Sequence, residues 1–499
     1  MKKLILGPPG TGKTTTLLNL IDEYLKKGTD PNKIGFISFT RKSVNEARDR
    51  AAERFQKPIE WFTYFRTIHS LAFRQLTMSS SQVMQRKHYI ELGNIMGCKI
   101  TGIHRQDQMV YEMSKGDQMV FIESLARAKC SSLKDTWNDL NSDLSIEELE
   151  YFRASLIKFK KANILFDFTD MLEKYYEEGY KPDLDVLFVD EAQDLCKLQW
   201  NIVEQMSEKS KNVYIAGDDD QAIFRWSGAD VDYFLDISKI YETKILTQSF
   251  RLPTSVHKFS HKLVRQIEKR NTKEFKPTQV EGNIDYINGV EDIDMSKGEW
   301  LILVRNGWMI NELVDHVRLC GFPYETTYYS IQEDEPLRAA ILWEKLKMGK
   351  TILVSDAKMI MSYMSFNHIG HKNIKNKSND EHINMNEFDE SVTLLNDARH
   401  KIWHEVLDKI PQDDREYYIA ARRQGETLIG KPRIKISTIH GAKGGEAENV
   451  VVHTDVSLRT YNNMMENYDD ELRVFYVATT RAKKNLYIVQ PKTPNYFTL

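Results

Sequence analysis

A glycine-rich loop near the N-terminus constrains the fold of this chain more than any other feature. The segment Gly7-Pro8-Pro9-Gly10-Thr11-Gly12-Lys13-Thr14 matches the pattern G-x-x-x-x-G-K-[ST] at every fixed position. It follows a short apolar stretch, residues 4–6, and precedes apolar residues at helical spacing. Glycines let backbone N–H groups approach phosphate oxygens, and the helix directs its positive end at the same anion. The loop therefore predicts a strand, a nucleotide-binding turn and a helix, and we expect all eight loop residues to contact the nucleotide.

Two adjacent carboxylates form the expected second half of this nucleotide site. The apolar run 186–189 predicts a buried strand, and Asp190 and Glu191 follow at its C-terminal end. We expect Lys13 to reach the outer phosphates of ATP, and Thr14 and Asp190 to bind Mg²⁺. Glu191 can polarise an attacking water, so the pattern indicates hydrolysis and not transfer to an acceptor hydroxyl. The alternative interpretation of Asp190 and Glu191 is a solvated acidic turn after a strand. The phosphate loop in the same chain argues against that interpretation.

Composition narrows the class of protein. Hydrophobic residues make up 41% and charged residues 28% of the 499 residues, as in soluble globular proteins. No apolar run reaches membrane-spanning length, and the loop follows residues 4–6 too closely for a signal peptide. The four cysteines form no C-x-x-C pair, which argues against a disulfide framework and a zinc ribbon. We therefore expect a cytoplasmic protein with no membrane partner.

Predicted strands that end in polar loops alternate with predicted helices. Strands are predicted at 34–39, 186–189, 213–216, 300–304, 434–436, 450–452 and 486–489. This order indicates parallel sheets in an α/β fold. Residues 78–160 and 336–424 have a polar, mainly helical pattern and are expected to be insertions. The expected layout is a first lobe at 1–77 and 161–243 with insertion 78–160, and a second lobe at 244–335 and 425–499 with insertion 336–424.

Further segments resemble, in order, the motifs of superfamily 1 helicases of the UvrD/Rep type. They are Asp190-Glu191-Ala192-Gln193-Asp194 with Gln199, Gly217-Asp218-Asp219-Asp220-Gln221-Ala222-Ile223-Phe224-Arg225-Trp226-Ser227-Gly228-Ala229, Gln248-Ser249-Phe250-Arg251, Thr438-Ile439-His440-Gly441-Ala442-Lys443-Gly444 and Tyr476-Val477-Ala478-Thr479-Thr480-Arg481-Ala482. These motifs span nearly the whole chain, whereas the insertions match no motif. The resemblance implies two RecA-like P-loop NTPase lobes with parallel sheets and with ATP between them.

The resemblance also implies roles around the nucleotide. Gln221, at a strand end beside the carboxylates, is expected to sense the γ-phosphate or position water. Arg251 and Arg481 are expected to act as arginine fingers from the second lobe, supplying positive charge when the cleft closes. Phe250 resembles the position that stacks on the adenine, and Glu446 the position that contacts the sugar. Taken alone, each arginine would more simply form a surface salt bridge.

A second set of positions resembles the contacts that this family makes with single-stranded DNA. They are Phe39, Thr40, Arg41, Thr67, His69, Phe224, Trp226, Thr438, His440 and Lys443. Such binders stack bases on aromatic rings and hold the backbone with polar groups. An isolated aromatic residue more often packs in a core, but Arg225, Ser227 and Gly228 around Trp226 would make a poor core strand. The net charge of −3 gives no overall basic surface, so a local groove is expected to bind the DNA.

The implied function is an ATP-dependent DNA helicase that moves 3′→5′ along single strands and unwinds duplex junctions, with ATP and Mg²⁺ as cofactors. Two alternatives stay open. A P-loop kinase is disfavoured by Glu191 next to Asp190 and by the two distant arginine motifs. An ATP-gated clamp on single-stranded DNA, or a translocase that moves along it without unwinding duplex, would use the same residues as a helicase.

Some positions depart from the family pattern or fit no motif. The loop begins at residue 7, which leaves no room for the upstream glutamine motif that reads adenine, so the sequence leaves the choice among NTPs open. Gly445 stands where many relatives have leucine, and the chain ends 18 residues after Arg481, too few for an appended nuclease domain. His368, His371 and His382 match no zinc spacing, so a solvated loop is expected there.

Overall fold

The computed structural model describes residues 1–39, 41–102, 113–140, 142–365, 374, 376–391 and 401–499. Its strands are β1 (Lys2–Leu6), β2 (Ile34–Ser38), β3 (Phe65–Arg66), β4 (Val186–Asp190), β5 (Asn212–Gly217), β6 (Glu242–Ile245), β7 (Asn283–Ile287), β8 (Trp300–Val304), β9 (Tyr324–Glu325), β10 (Ile352–Leu353), β11 (His382–Ile383), β12 (Ile434–Thr438), β13 (Ala447–His453) and β14 (Ala482–Val489).

Its helices are α1 (Lys13–Lys26), α2 (Arg41–Phe55), α3 (Ile68–Gln75), α4 (Arg86–Met96), α5 (Lys115–Ala128), α6 (Leu133–Asp139), α7 (Ile146–Asn163), α8 (Phe168–Glu177), α9 (Lys197–Ser207), α10 (Val231–Ile240), α11 (Thr254–Val264), α12 (Ile310–Leu319), α13 (Glu335–Lys347), α14 (Val354–Ser362), α15 (Met385–Ser391), α16 (Trp403–Val406), α17 (Gln412–Arg423), α18 (Leu458–Glu466) and α19 (Tyr468–Thr479). The chain divides into two compact units, one of residues 1–287, 304–307 and 438–499, the other of residues 288–303 and 308–437.

The first sheet lies in the first unit and has the strand order β3-β2-β4-β5-β1-β6, with every pairing parallel. Its strands are apolar on both faces, since Leu4 and Leu6 of β1 enter one core while Ile5 enters the other. Helices α1 and α2 cover one face, and α3, α8, α9 and α10 cover the other. A parallel sheet needs this two-sided cover. The carboxyl ends of β1, β4 and β5 therefore meet at one edge, where the phosphate loop and the acidic turns follow.

Helices α4 to α7 form a separate apolar core within the first unit, around residues such as Leu149 and Phe152. A buried ionic network fastens this core to α8. Arg127 donates to Asp167 Oδ2 (2.7 Å) and to Glu123 Oε2 (3.0 Å), and Lys160 Nζ donates to Asp167 Oδ2 (2.6 Å). Asp167 also accepts from the backbone N–H of residue 170 and so caps α8. The segment 167–170 therefore joins the helical insertion to the first sheet.

The first unit also contains three parallel strands of the second sheet, β7, β13 and β14. Strand β14 pairs in parallel with β13 on one side and with β7 on the other. Helix α19 is buried almost all round from residue 471 to 479, and it packs against α11. A helix that is apolar on most of its surface belongs in an interior. Residues that follow this helix are therefore held in a rigid setting.

The second unit holds β9 and β12, which pair in parallel, and helices α12 to α17. Its core includes the buried residues Trp343, Ile360, Phe388 and Tyr417. Strands β10 and β11 form a small antiparallel pair in this unit. Across the ranges that the structure describes, no helix combines the length and the apolar character needed to cross a membrane.

The expected fold class is confirmed: the chain is α/β, with two sheets of parallel strands. The short strands β3, β6, β7 and β9 were not expected, because residues of β6 and β7 are mostly exposed and lack an apolar pattern. Strand β6 pairs with β1 and runs across the expected boundary at 243/244, and the compact units do not follow the expected lobes. His368 and His371 lie outside the described residues, and His382 is exposed in β11.

Replacing Arg127 with methionine is expected to lower the free energy of unfolding by about 3–5 kcal/mol, because buried Glu123 loses its guanidinium partner and Asp167 keeps only Lys160. Urea unfolding followed by circular dichroism measures the loss. The exposed pair Lys115–Glu148 provides the control, and Lys115→Ala is expected to cost at most about 1 kcal/mol. Equal losses in the two variants would contradict the role given to the network.

Candidate functional site

The phosphate loop adopts the strand–turn–helix geometry that its sequence predicts. Gly12 caps α1 with φ 76°, and Gly10 has φ 71°, both in the left-handed region that favours glycine. Lys13 Nζ donates to the carbonyl oxygen of Gly7 at 2.9 Å and lies 3.9 Å from Glu191 Oε1. The lysine ammonium is therefore already at the edge where the carboxylates end.

The two carboxylates after β4 lie against the start of α1. Thr14 Oγ1 donates to Asp190 Oδ2 at 2.8 Å. Burial and the neighbouring charge of Glu191 raise the pKa of Asp190 to about 7. Burial also favours the neutral form of Glu191, but Lys13 and Lys443 outweigh it and lower the pKa of Glu191 to about 2. At neutral pH Glu191 is therefore an ionised carboxylate within reach of the lysine.

The oxygen donors at this position suit Mg²⁺. A hydroxyl and a carboxylate oxygen are hard ligands, and Mg²⁺ in nucleotide sites commonly takes one or two protein ligands, with phosphates and waters completing the shell. In the part of the chain that the structure describes, no cluster of three or more His, Cys, Asp or Glu side chains could hold a metal by itself. Thr14 and Asp190 therefore fit a magnesium ion that arrives with the nucleotide.

A chain of hydrogen bonds joins Glu191 to Gln221. Gln193 Nε2 donates to Glu191 Oε2 at 2.6 Å, and Gln193 Oε1 accepts from the backbone N–H of Asp218 at 3.0 Å. Gln221 Nε2 donates to Asp218 Oδ2 at 2.6 Å. No role was predicted for Gln193 or Asp218, since a glutamine and an aspartate inside acidic turns have no spacing that reveals their partners. Both are buried and connect the two turns.

Arginines from distant segments reach this site. Arg481 Nη2 donates to Gln221 Oε1 at 2.8 Å, and its Nε donates to the carbonyl of Val477 at 2.9 Å. Burial, together with the charge of Arg251, lowers the pKa of Arg481 to about 9. Arg251 Nε donates to Glu446 Oε2 at 2.6 Å. The structure therefore brings both predicted arginines to the nucleotide site, with Glu446 as the partner of one of them.

The segment 249–251 is fastened directly to the phosphate loop. Ser249 Oγ donates to the carbonyl of Pro9 at 2.8 Å, and the backbone N–H of Phe250 donates to the carbonyl of Gly10 at 2.8 Å. A Cβ at Gly10 would lie 2.4 Å from the Cβ of Arg251. The ring of Phe250 is 76% exposed, so its face beside the loop is open to a planar group.

Lys443 lies between the two acidic turns. Its ammonium contacts Asp194 Oδ2 at 2.5 Å, donates to the carbonyl of Gln221 at 2.8 Å, and lies 5.1 Å from the centroid of the Phe224 ring. Burial raises the pKa of Asp194 to about 6. Lys443 was predicted at the DNA track, and contact with DNA would require these bonds to open.

The other predicted DNA residues are only partly brought together. Trp226 stacks on Phe121 of α5, with ring centroids 5.9 Å apart and 17° between the planes, and it meets His440 edge-on at 6.0 Å. Trp226 and His440 line a cavity of about 630 Å³. Phe224 is buried and packs on Phe39 at 5.5 Å. Thr438 and His440 are buried as well.

Two of the remaining predicted DNA positions lie at the start of α3, and the other two are not fully covered by the described residues. Thr67 caps α3, accepting from the backbone N–H of Ser70, and His69 packs edge-on against Phe168 at 5.7 Å. Thr40 lies outside the described residues, as does the side chain of Arg41.

Models of two protein domains match this chain. The UvrD/REP helicase N-terminal domain matches residues 1–242, and the UvrD-like helicase C-terminal domain matches residues 434–489. Together the matches cover more than half of the chain. The chain belongs to the UvrD/Rep helicase family. This confirms the resemblance that the motifs carried and the enzyme class that follows from it, DNA helicase with DNA-dependent ATPase activity.

Individual UvrD/Rep relatives are similar at low identity. The chain is 27% identical over 620 residues to the ATP-dependent DNA helicase Rep of Buchnera aphidicola, covering 97% of this chain and 88% of that protein. It is 21% identical over 584 residues to a probable DNA helicase II homolog of Mycoplasma genitalium, covering 96% and 81%. To the ATP-dependent DNA helicase PcrA of Staphylococcus aureus it is 24% identical over 338 residues, covering 63% and 44%. The roles of single residues stay predictions.

Replacing Gly10 with alanine is expected to lower kcat/KM for ATP by about 10- to 100-fold, because the new Cβ must displace segment 249–251 from the loop. Steady-state hydrolysis at varied ATP concentration measures this. Gly28→Ala is the matched control: its φ is 87°, yet nothing lies within 4 Å of a Cβ there, so hydrolysis should not change. The explanation by displacement is wrong if both variants lose activity equally.

Proposed function

We propose that this chain is an ATP-driven motor that moves 3′→5′ along single-stranded DNA and separates duplex at junctions. The observation that carries the proposal is the convergence of Arg481 and Gln221 on the edge that holds Lys13 and Glu191. These groups come from segments more than 450 residues apart in the chain, from Lys13 to Arg481. A nucleotide bound there would be contacted by both ends of the chain, so its hydrolysis changes the forces between them.

For hydrolysis, each residue at the edge has a chemical task. Thr14 and Asp190 would hold Mg²⁺, which supplies charge neutralisation to the phosphates when it is bound. Ionised Glu191 orients a water and accepts its proton. Lys13 and Arg481 stabilise the charge on the outer phosphate, which lowers the barrier most in a site that excludes water.

Coupling to DNA runs through the turn that carries Gln221. The amide of Gln221 is held by Arg481 on one side and by Asp218 on the other, and Trp226 follows five residues later. A change in the bonds of this amide alters the turn that leads to Trp226. Trp226 would hold a base by stacking, since every base offers a flat face and the contact tolerates any sequence.

The lobe division also remains a proposal. We infer one lobe from segments 1–77 and 161–243 and another from 244–335 and 425–499, with helical insertions at 78–160 and 336–424. The helices α4 to α7 in the first insertion and α13 to α17 in the second support this division. Strand β6 pairs with β1 and extends from Glu242 to Ile245, so it crosses the proposed boundary at 243/244.

A forked-duplex assay tests direction and unwinding together. Strand separation of forks with a 3′ or a 5′ single-stranded tail is measured with ATP and Mg²⁺, and Lys13→Ala serves as the hydrolysis-deficient control. We expect the wild-type chain to open the 3′-tailed fork only and the variant to open neither. Opening of the 5′-tailed fork alone would reverse the direction. ATP-dependent retention on DNA without separation of either fork would favour the clamp.

Trp226→Ala is expected to weaken binding of single-stranded DNA by about 1–3 kcal/mol, because one stacked base loses its platform. Stimulation of hydrolysis by oligonucleotide should fall more than basal hydrolysis. Trp61→Ala is the control, since Trp61 is an exposed tryptophan that belongs to none of the DNA motifs. Fluorescence anisotropy with a labelled oligonucleotide measures binding, and equal loss of basal and stimulated turnover in Trp226→Ala would refute the role.

A further inference from the structure

Three consecutive buried aspartates follow β5, and a lysine from a distant segment neutralises them. Lys273 Nζ lies 3.1 Å from Asp218 Oδ1, 2.5 Å from Asp219 Oδ1 and 3.0 Å from Asp220 Oδ2. The lysine side chain is 1% exposed. The ammonium donates a hydrogen bond to Asp219 Oδ1 and forms ion pairs with the other two carboxylates. We call Lys273 with these three aspartates the aspartate clasp.

Neighbours of Lys273 strengthen the clasp. Arg270 donates to both oxygens of Asp220, at 2.8 and 2.7 Å, in a bidentate pair. The backbone N–H of Asn271 donates to Asp219 Oδ2 at 2.8 Å. Arg473 of α19 bridges the two segments by their backbones, since it donates to the carbonyl of Asp219 in the turn after β5 and to the carbonyl of Lys269. Segment 269–273 is therefore held against the turn after β5 by backbone and side-chain contacts.

The clasp shares one carboxylate with the nucleotide site. Asp218 Oδ1 faces Lys273, whereas Asp218 Oδ2 accepts from Gln221 Nε2 at 2.6 Å. Without the ammonium, three adjacent buried carboxylates would repel one another, and they would have to separate or take up protons. Either response moves or neutralises the oxygen that holds the Gln221 amide.

We propose that Lys273 is a positioning residue for ATP hydrolysis, which fixes the Gln221 amide through Asp218 so that the amide meets Arg481 in one orientation. The inference rests on the role proposed for Gln221 in coupling. It adds that the side chain of Lys273, outside every motif named above, sets how well DNA binding stimulates turnover. Arg270 supports the same turn through Asp220 but does not touch the carboxylate that Gln221 uses.

The test measures kcat and KM for ATP, with and without oligo(dT), in four variants. Lys273→Met should lower DNA-stimulated kcat by about 10- to 100-fold, as expected for a misplaced catalytic group, with KM for ATP changed much less. The exposed neighbour Lys269 gives the control, and Lys269→Ala should match the wild-type chain. Gln221→Ala serves as the reference for loss of the coupled group.

A charge-balanced double variant separates positioning from stability. Lys273→Met with Asp219→Asn removes one negative charge for the positive charge lost, and Asp219 makes no contact with the Gln221 side chain among its described bonds. We expect this variant to regain the thermal stability that Lys273→Met loses, yet to keep the low kcat. Recovery of kcat along with stability would overturn the proposal and make the clasp structural only.

The reference variant distinguishes the two possible failures. If Gln221→Ala keeps full DNA stimulation, the role proposed for Gln221 is wrong and the inference falls with it. If Gln221→Ala loses stimulation while folded Lys273→Met keeps it, coupling stands and the clasp alone is refuted. A proportional rise in KM with unchanged kcat in Lys273→Met would also refute positioning, since that pattern marks lost substrate binding.

Discussion

Pairing of buried charges determines how the first unit is assembled. The edge of the first sheet carries Asp190, Glu191 and Asp194 after β4 and three more aspartates after β5, and all of them are buried except Glu191, whose side chain is 26% exposed. Each uncompensated ion would cost several kcal/mol. The compensating cations Lys273, Lys443 and Arg481 come from far along the chain. The early strands therefore supply the negative half of the site, and only the later segments complete it.

The same buried polar contacts that hold the segments together also connect the residues expected to act in hydrolysis. Hydrogen bonds run from Glu191 through Gln193 and Asp218 to Gln221, and from there to Arg481. Each member holds the next in a low-dielectric interior, where such bonds reinforce one another. A phosphate that attracted Lys13 or Arg481 would change the hydrogen bond or charge at one end of this series, and the change would alter the neighbouring bonds in turn. Rigid strands at both turns keep the spacing of the series fixed.

The sequence predicted the parts of the fold that have a strong local signal. The phosphate loop and the apolar run 186–189 have unambiguous patterns, and the structure has the corresponding turn and strand at those positions. Strands β6 and β7 are exposed and polar, so only their pairing with β1 and β14 identifies them. A helical insertion was predicted at 78–160, but the bonds by which Arg127 and Lys160 tie it to Asp167 of α8 have no signal in the sequence pattern.

At the site, motif order predicted which residues converge but not how they pair. Glu446 was expected at the nucleotide sugar, and its carboxylate contacts Arg251 and Lys483 here. Lys443 was expected at DNA and lies on Asp194. Gln193 and Lys273 went without a predicted role, because their partners are decided by three-dimensional proximity between segments 25 to 55 residues apart. Charged residues of this kind have several possible partners, and only packing selects one.

The two hydrogen bonds from segment 249–250 to the carbonyls of Pro9 and Gly10 fix a distance at the nucleotide site. They fix the separation between the exposed ring of Phe250 and the cradle of backbone amides that receives phosphate. A ligand that stacked on this ring while it filled the phosphate loop would have to span that fixed distance, so ring and loop together would discriminate between nucleotides with different numbers of phosphates.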